Sequence, residues 1–359
     1  MPRSATDIVS IAIKPLELPL AEPFEIAGGR ETTARNILAC VRLRSGAVGW
    51  GEGAPMPSYN DETQSQALRA AHAIEKALLG QDASSWRKLL ERIEELIPDS
   101  GAARSACGMA VLDAWTRHAH VPLRTLFGGA ERAIASDITI PLVSPEAAGQ
   151  AARRILALGV RTIKIKVGRD VAEDEARVRA VAATNRRLRL MLDANQGYRP
   201  EESLKLLRLL KRQDIVPVLF EQPAPAEDYE GLRRVMRLGK VPVAADESAS
   251  SRQAVWRLVR QRAADVINIK LTKCGLLEAW DIASIARAAG LKLMIGGNIE
   301  SSLSMTAAAH FAAGLGGFSF VDLDTPLWLA RNPMKGVFMG PGGVYDLAEV
   351  KAGIGVVPR

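Results

Sequence analysis

The chain has 359 residues, 48% apolar and 24% charged, which suits one large domain with a smaller partner and excludes a disordered or low-complexity protein. Its net charge of +7 falls mainly on amphipathic helical stretches such as 177–189 and 204–212, which read as solvated faces; aromatics are 5% and no nucleic-acid motif accompanies the charge, so no nucleic-acid partner is expected. Cys40, Cys107 and Cys274 match neither zinc nor redox spacing, the apolar run at 8–13 is cut by Lys14 and Pro15, and no run nears the ~20 apolar residues of a membrane span, so a cytoplasmic protein without a membrane partner is expected.

In chain order, 8–14, 37–44 and 48–54 read as β-strands, with a turn at Ser45-Gly46, and 62–79, 84–96 and 102–118 read as helices. Strands followed by helices predict a small α+β domain over residues 1–130. From about Ser136 short apolar strands alternate with helical segments. Their ends fall near Pro141, Val167, Asp193, Glu221, Asp246, Lys270, Gly296 and Asp322, the spacing of repeated βα units. The expected architecture is an α/β protein, a (β/α)7β modified TIM barrel over 131–326, with the α+β cap completed by a Gly/Pro-rich tail at about 327–359.

Side chains at the C-terminal ends of barrel strands face the active-site mouth. The second strand reads Thr162-Ile163-Lys164-Ile165-Lys166, so the two lysines share a face, and inward lysines require anions nearby. Asp193, Glu221 and Asp246 each close an apolar run on the third, fourth and fifth strands. Three adjacent carboxylates repel one another unless a cation lies between them, and an all-oxygen set suits Mg²⁺. Lys270 closes the sixth strand, across the barrel from the second. Two lysines on opposite faces of a metal-held substrate could exchange a proton; burial and neighbouring cations depress a lysine's pKa toward the working range, and Lys164 beside Lys166 supplies such a cation.

The set Lys164-Ile165-Lys166, Asp193-Ala194-Asn195, Glu221-Gln222-Pro223, Ala245-Asp246-Glu247 and Lys270 resembles the enolase superfamily, muconate-lactonizing subgroup, over essentially the whole chain. The resemblance implies Asp193, Glu221 and Asp246 as Mg²⁺ ligands and Lys166 and Lys270 as the acid/base pair. It implies Lys164 as tuner of Lys166 and partner of a substrate carboxylate, and Asn195 and Glu247 as groups that orient the ligands. It also implies a homo-oligomer. Within the subgroup, Asp322 and Asp324 on the eighth strand share a face and are similar to the pair with which dipeptide epimerases hold a substrate's terminal ammonium.

By the same resemblance Thr139, Asn298 and Ile299 contact the dipeptide, and a mobile loop at 22–33 closes over it. Relatives acting on Ala-Glu carry an Arg in that loop; here the position is Gly28, with Arg30 two residues on. Met56 and Tyr59 of a second loop are further pocket candidates. A small-molecule dipeptide with an uncharged second residue is the expected substrate. N-acylamino-acid racemase, o-succinylbenzoate synthase and muconate cycloisomerase activities, or a non-catalytic protein on the same fold, are the alternatives.

Overall fold

The computed structural model describes residues 4–359; the side chain of Tyr59, a pocket candidate, falls outside what is described. The chain begins with an antiparallel sheet of Ile8–Ile26, Gly29–Leu43 and Val48–Gly53. Two helices pack on it, Gln64–Leu78, opened by a Thr63/Gln66 capping box, and Gly101–His118, capped by Ser100, while Trp86–Leu96 packs against Gly101–His118.

The first two strands run far beyond their expected ends. Where a mobile loop is expected at 22–33, the ribbon continues as a hairpin with Phe24 opposite Glu31 and Ile26 opposite Gly29. The Gly-Gly and charged composition masks a strand pairing that tertiary contacts sustain: Glu25 O accepts from Leu142 N at 3.2 Å, and Glu25 pairs with Arg169. Residues 20–23 bulge out of the ladder, and there Leu20 bridges Leu329 of the tail.

Eight parallel strands follow in chain order: Ile138–Ile140, Thr162–Lys166, Arg189–Asp193, Leu219–Glu221, Val243–Ala245, Val266–Lys270, Lys292–Gly296 and Phe318–Val321. The last meets the first through Asp137 N donating to Val321 O at 2.9 Å. The connections carry the helices Pro145–Ala157, Val171–Ala182, Pro200–Lys211, Tyr229–Gly239, Arg252–Gln261, Leu276–Ala288 and Ser302–Leu315; among the described residues the eighth strand is followed by a 3-10 turn, Thr325–Trp328, and no α-helix. This is the (β/α)7β barrel with its α+β cap. Among the described residues no helix is long and apolar enough to cross a membrane.

Met191, Leu219, Ala244, Val266, Met294 and Phe320 pack together inside the barrel. Two residues further along their strands stand Asp193, Glu221, Asp246, Asn268, Gly296 and Asp322. Because a strand repeats every two residues, the polar site is the layer directly above this apolar plug.

The tail contains Met334–Gly336 paired with Val356–Pro358, and Val344–Asp346 paired with Ala133–Ala135. It is also tied to the helix Gly101–His118, where Asp113 Oδ1 accepts from Ile354 N at 2.8 Å and Arg117 donates to Val356 O at 2.9 Å.

Candidate active site

The second strand delivers Lys164 and Lys166 to the barrel mouth, and both are buried. Lys164 Nζ stands 3.1 Å from Asp193 Oδ2, 2.7 Å from Glu221 Oε2 and 2.7 Å from Asp322 Oδ2. Burial would lower its pKa, but these three carboxylates outweigh burial and hold it well above the ordinary lysine value. Lys166 Nζ donates to Asp193 Oδ2 at 2.6 Å and to Asn195 Oδ1 at 2.8 Å, and Asn195 in turn donates to Glu247 Oε1 at 3.2 Å. Asn195 thereby orients Lys166 as well as the acids behind it.

On the opposite side Lys270 Nζ lies 2.8 Å from Asp246 Oδ2. Burial lowers the Lys270 pKa, and the Asp246 carboxylate more than reverses that. Asp246 itself is raised by burial and lowered further by Lys270 and Lys273, ending below the ordinary carboxylate range. Strands two and six are four apart in an eight-stranded barrel, so Lys166 and Lys270 approach the mouth from diametrically opposed walls.

The acids outnumber the ammonium groups that meet them. Burial and Asp193 push Glu221 up to about 7; burial and Asp246 push Glu247 up to about 8. On the last strand burial and Asp322 push Asp324 up to about 7, while Asp322 is raised by burial but brought below its usual range by Lys164. Asp324 Oδ2 accepts from Thr139 N at 2.7 Å, and Thr139 Oγ1 donates to Asp322 Oδ1 at 3.4 Å.

A narrow cavity of about 40 Å³ joins these groups: Thr139, Lys164, Lys166, Asn195, Lys270, Asn298, Ile299, Asp322 and Asp324 all line it. Phe24, Ile26 and Met56 of the cap close it from above. Gly28 does not line it. It is exposed at the hairpin tip, where an added Cβ would stand 3.0 Å from the Ser58 carbonyl oxygen. Arg30 is likewise exposed, opposite Glu25 in the ladder, so neither residue brings a charge to the cavity.

Several residues not singled out in the sequence complete the site. Asn268 donates to Glu221 Oε1 at 2.6 Å; its position two before Lys270, on the same strand face, is the signal that points to it. Lys273 Nζ reaches Asp246 Oδ1 at 3.0 Å and Asn268 O at 2.7 Å, and Gln222 Oε1 accepts from Asp246 N at 2.9 Å. Asp137, fully buried before the first strand, is held well above the ordinary range by burial and by Asp322 and Asp324. Asn195 and Gln222 adopt φ of 40° and 38°, sharp turns two residues beyond Asp193 and one beyond Glu221.

Among the described residues no acidic cluster stands as a preformed metal cage, and the oxygens of Asp193, Glu221 and Asp246 face lysine ammonium groups. The donor set nevertheless suits a hard divalent ion: three buried carboxylates from adjacent strands, with acid in excess over ammonium and Glu221 raised by burial and by Asp193.

Residues 8–128 match the mandelate racemase / muconate lactonizing enzyme N-terminal domain, and residues 146–359 match the enolase C-terminal domain-like family. An aromatic dipeptide epimerase of Herpetosiphon aurantiacus is 45% identical over 352 residues, covering 98% of this chain and 99% of that protein. A mandelate racemase/muconate lactonizing protein of known structure from the same organism superposes with a TM-score of 0.95 at 44% identity, over 99% of both chains. The dipeptide epimerase of Enterococcus faecalis complexed with Mg and the dipeptide L-Leu-L-Tyr superposes with a TM-score of 0.93 at 33% identity, over 98% of this chain and 99% of that one. With a matching cap, a matching barrel and relatives of this similarity along its length, the chain belongs to the mandelate racemase/muconate lactonizing enzyme family of the enolase superfamily.

Proposed function

We propose that the protein is a Mg²⁺-dependent dipeptide epimerase that inverts the α-carbon of a dipeptide's C-terminal residue by proton transfer between Lys166 and Lys270. The observation that carries this reading is the pair of lysines on opposed walls of one cavity whose third wall bears Asp322 and Asp324. An α-carbon held between the two could lose a proton to one face and regain it on the other. Asp193, Glu221 and Asp246, three buried carboxylates from adjacent strands, would hold the ion. When bound, the ion would neutralise negative charge developing on the substrate carboxylate as the α-proton leaves.

The chain's own groups supply the rest. Lys164, permanently charged among its three acids, adds a fixed positive charge beside that carboxylate. Asp322 and Asp324 offer the only kind of partner a free amino terminus needs, which an N-acylated substrate would leave unused. Phe24, Ile26, Met56 and Ile299 make the cap side apolar, and with Gly28 and Arg30 exposed this favours an uncharged C-terminal side chain. Two relatives support the same direction: one is an aromatic dipeptide epimerase, and another is known in complex with L-Leu-L-Tyr.

The test is a dipeptide library incubated with enzyme and Mg²⁺ in D2O and read by mass spectrometry. Deuterium should enter dipeptides with apolar second residues, and Asp322→Asn should lose roughly 10²-fold or more on these while sparing N-acyl amino acids. Exchange confined to N-acyl amino acids would overturn the reading in favour of a racemase.

A further inference from the structure

We propose that Asn36 and Glu52, both on cap strands, are positioning residues for substrate binding: they hold the segment 298–301, of which Asn298 and Ile299 wall the catalytic cavity. The inference rests on the reading above only in taking that cavity as the substrate site.

Glu52 is a fully buried carboxylate whose hydrogen bonds come from uncharged donors. Its Oε1 accepts from Asn36 Nδ2 at 2.7 Å and from Ser301 N at 2.9 Å, and its Oε2 from the Ser301 hydroxyl. Burying a carboxylate this way is costly, and what these bonds achieve is a junction between two parts of the chain distant in sequence. Asn36 Nδ2 also donates to Ile299 O at 2.9 Å. With two acceptors facing the same nitrogen, the amide orientation is fixed.

Asn298 adds a tie in the other direction, donating from Nδ2 to Ala54 O at 3.0 Å. Ser301 is the N-cap of Ser302–Leu315: its Oγ accepts from Leu303 N at 3.2 Å while donating to Glu52. The Glu52 charge therefore stands at the positive end of that helix. Asn298, Ile299 and Ser301 are thus bound to the second and third cap strands and the residue after them, and Asn298 and Ile299 line the cavity with Lys166 and Lys270.

Neither Asn36 nor Glu52 bonds to the two lysines, whose partners include Asp193, Asn195 and Asp246; the segment acts on Lys270 through the charge of Glu300. Loosening 298–301 should therefore weaken the grip on substrate and leave the proton-transfer groups in place.

Asn36→Leu removes both donors at similar volume; Ser301→Ala removes one tie and keeps the backbone N–H. Asn36→Leu is expected to raise KM about tenfold or more with kcat within about threefold, on a dipeptide the wild type turns over. Glu52→Gln, which can still accept from Asn36 and Ser301 N and can donate to Ser301 Oγ, should stay within about threefold of wild type in both constants. If Asn36→Leu does not fold, Ser301→Ala must show the KM rise. Independently of any substrate, amide exchange at 298–303 should quicken about tenfold in the variant that folds. Unchanged KM, loss confined to kcat, or unchanged exchange overturns the proposal. A wild type inactive on every dipeptide sinks the functional reading instead, and the exchange measurement still decides this one.

Discussion

Lys166 and Lys270 differ in what surrounds them, and that difference makes them separately testable. Lys166 is shared between Asp193 and Asn195, whereas Lys270 faces Asp246. Lys166→Ala and Lys270→Ala should each lower epimerisation by about 10²–10⁴-fold, the usual range for losing a positioned acid or base. Each variant should still exchange the α-proton of one epimer with D2O while failing on the other, the two variants showing opposite preferences. Equal residual exchange of both epimers in both variants would mean that the lysines do not serve opposite faces. At this scale the sequence was most legible where a polar residue closed an apolar strand. Asp193, Glu221, Asp246 and Lys270 all stand out that way. Lys273 did not, because on the helical turn after its strand it looks like any solvated lysine, yet it is 8% exposed and grips Asp246. Glu52 and Asn36 were illegible for another reason: their partners lie some 250 residues away along the chain, at Ser301 and Ile299.

Single elements show why a glycine pattern can decide packing. Gly49, Gly51 and Gly53 alternate on the third cap strand and share one face. Added Cβ atoms there would overlap the carbonyl oxygens of Ala110, Ala106 and Ala102, one turn apart on the helix Gly101–His118. Strand and helix thus meet backbone to backbone, which only glycine opposite alanine permits. Gly51→Ala should destabilise the protein by about 1–3 kcal/mol or more, since the obstructing atoms are backbone and cannot rotate aside. Gly108→Ala is the contrast. Its Cβ would meet Leu90 Cγ at 3.6 Å, an ordinary contact, and replacing a mid-helix glycine should raise stability by about 0.5–1 kcal/mol. Denaturant midpoints of the two variants read both effects; a Gly51→Ala midpoint equal to wild type would refute the close approach. The helices were readable from apolar periodicity and caps to within a few residues, as with 84–96 against the observed Trp86–Leu96. The hairpin at 22–33 was not, since its pairing depends on Leu142 and Arg169 in the barrel loops rather than on local propensity.

At the scale of the whole molecule the eight βα units were legible because each apolar strand recurs at a regular spacing, while the way the tail locks the assembly was not. His310 is part of that lock. It is wholly buried on the helix Ser302–Leu315, and its Nδ1 accepts from Arg124 N at 3.1 Å, in the turn that follows the cap helices. Its other nitrogen, Nε2, faces Ile354 O of the tail at 3.0 Å. An acceptor on one side and a donor on the other require the neutral ring with its proton on Nε2. Burial pulls its pKa down from 6.5 to about 4; the Ile354 carbonyl opposes this and Arg124 assists it. In the unfolded chain the same ring binds a proton near pH 6.5, so between about pH 6.5 and 4 the unfolded state holds more protons and stability must fall as pH falls. Above that window the ring is neutral in both states and adds no pH dependence. The full effect is on the order of 3 kcal/mol, and it separates from the carboxylates when the unfolding free energy of His310→Gln is subtracted from that of wild type at each pH. The difference should shrink as the solution is acidified through the window. A difference flat from pH 7 to 4 would mean that His310 takes up its proton without disturbing the junction of helix, turn and tail.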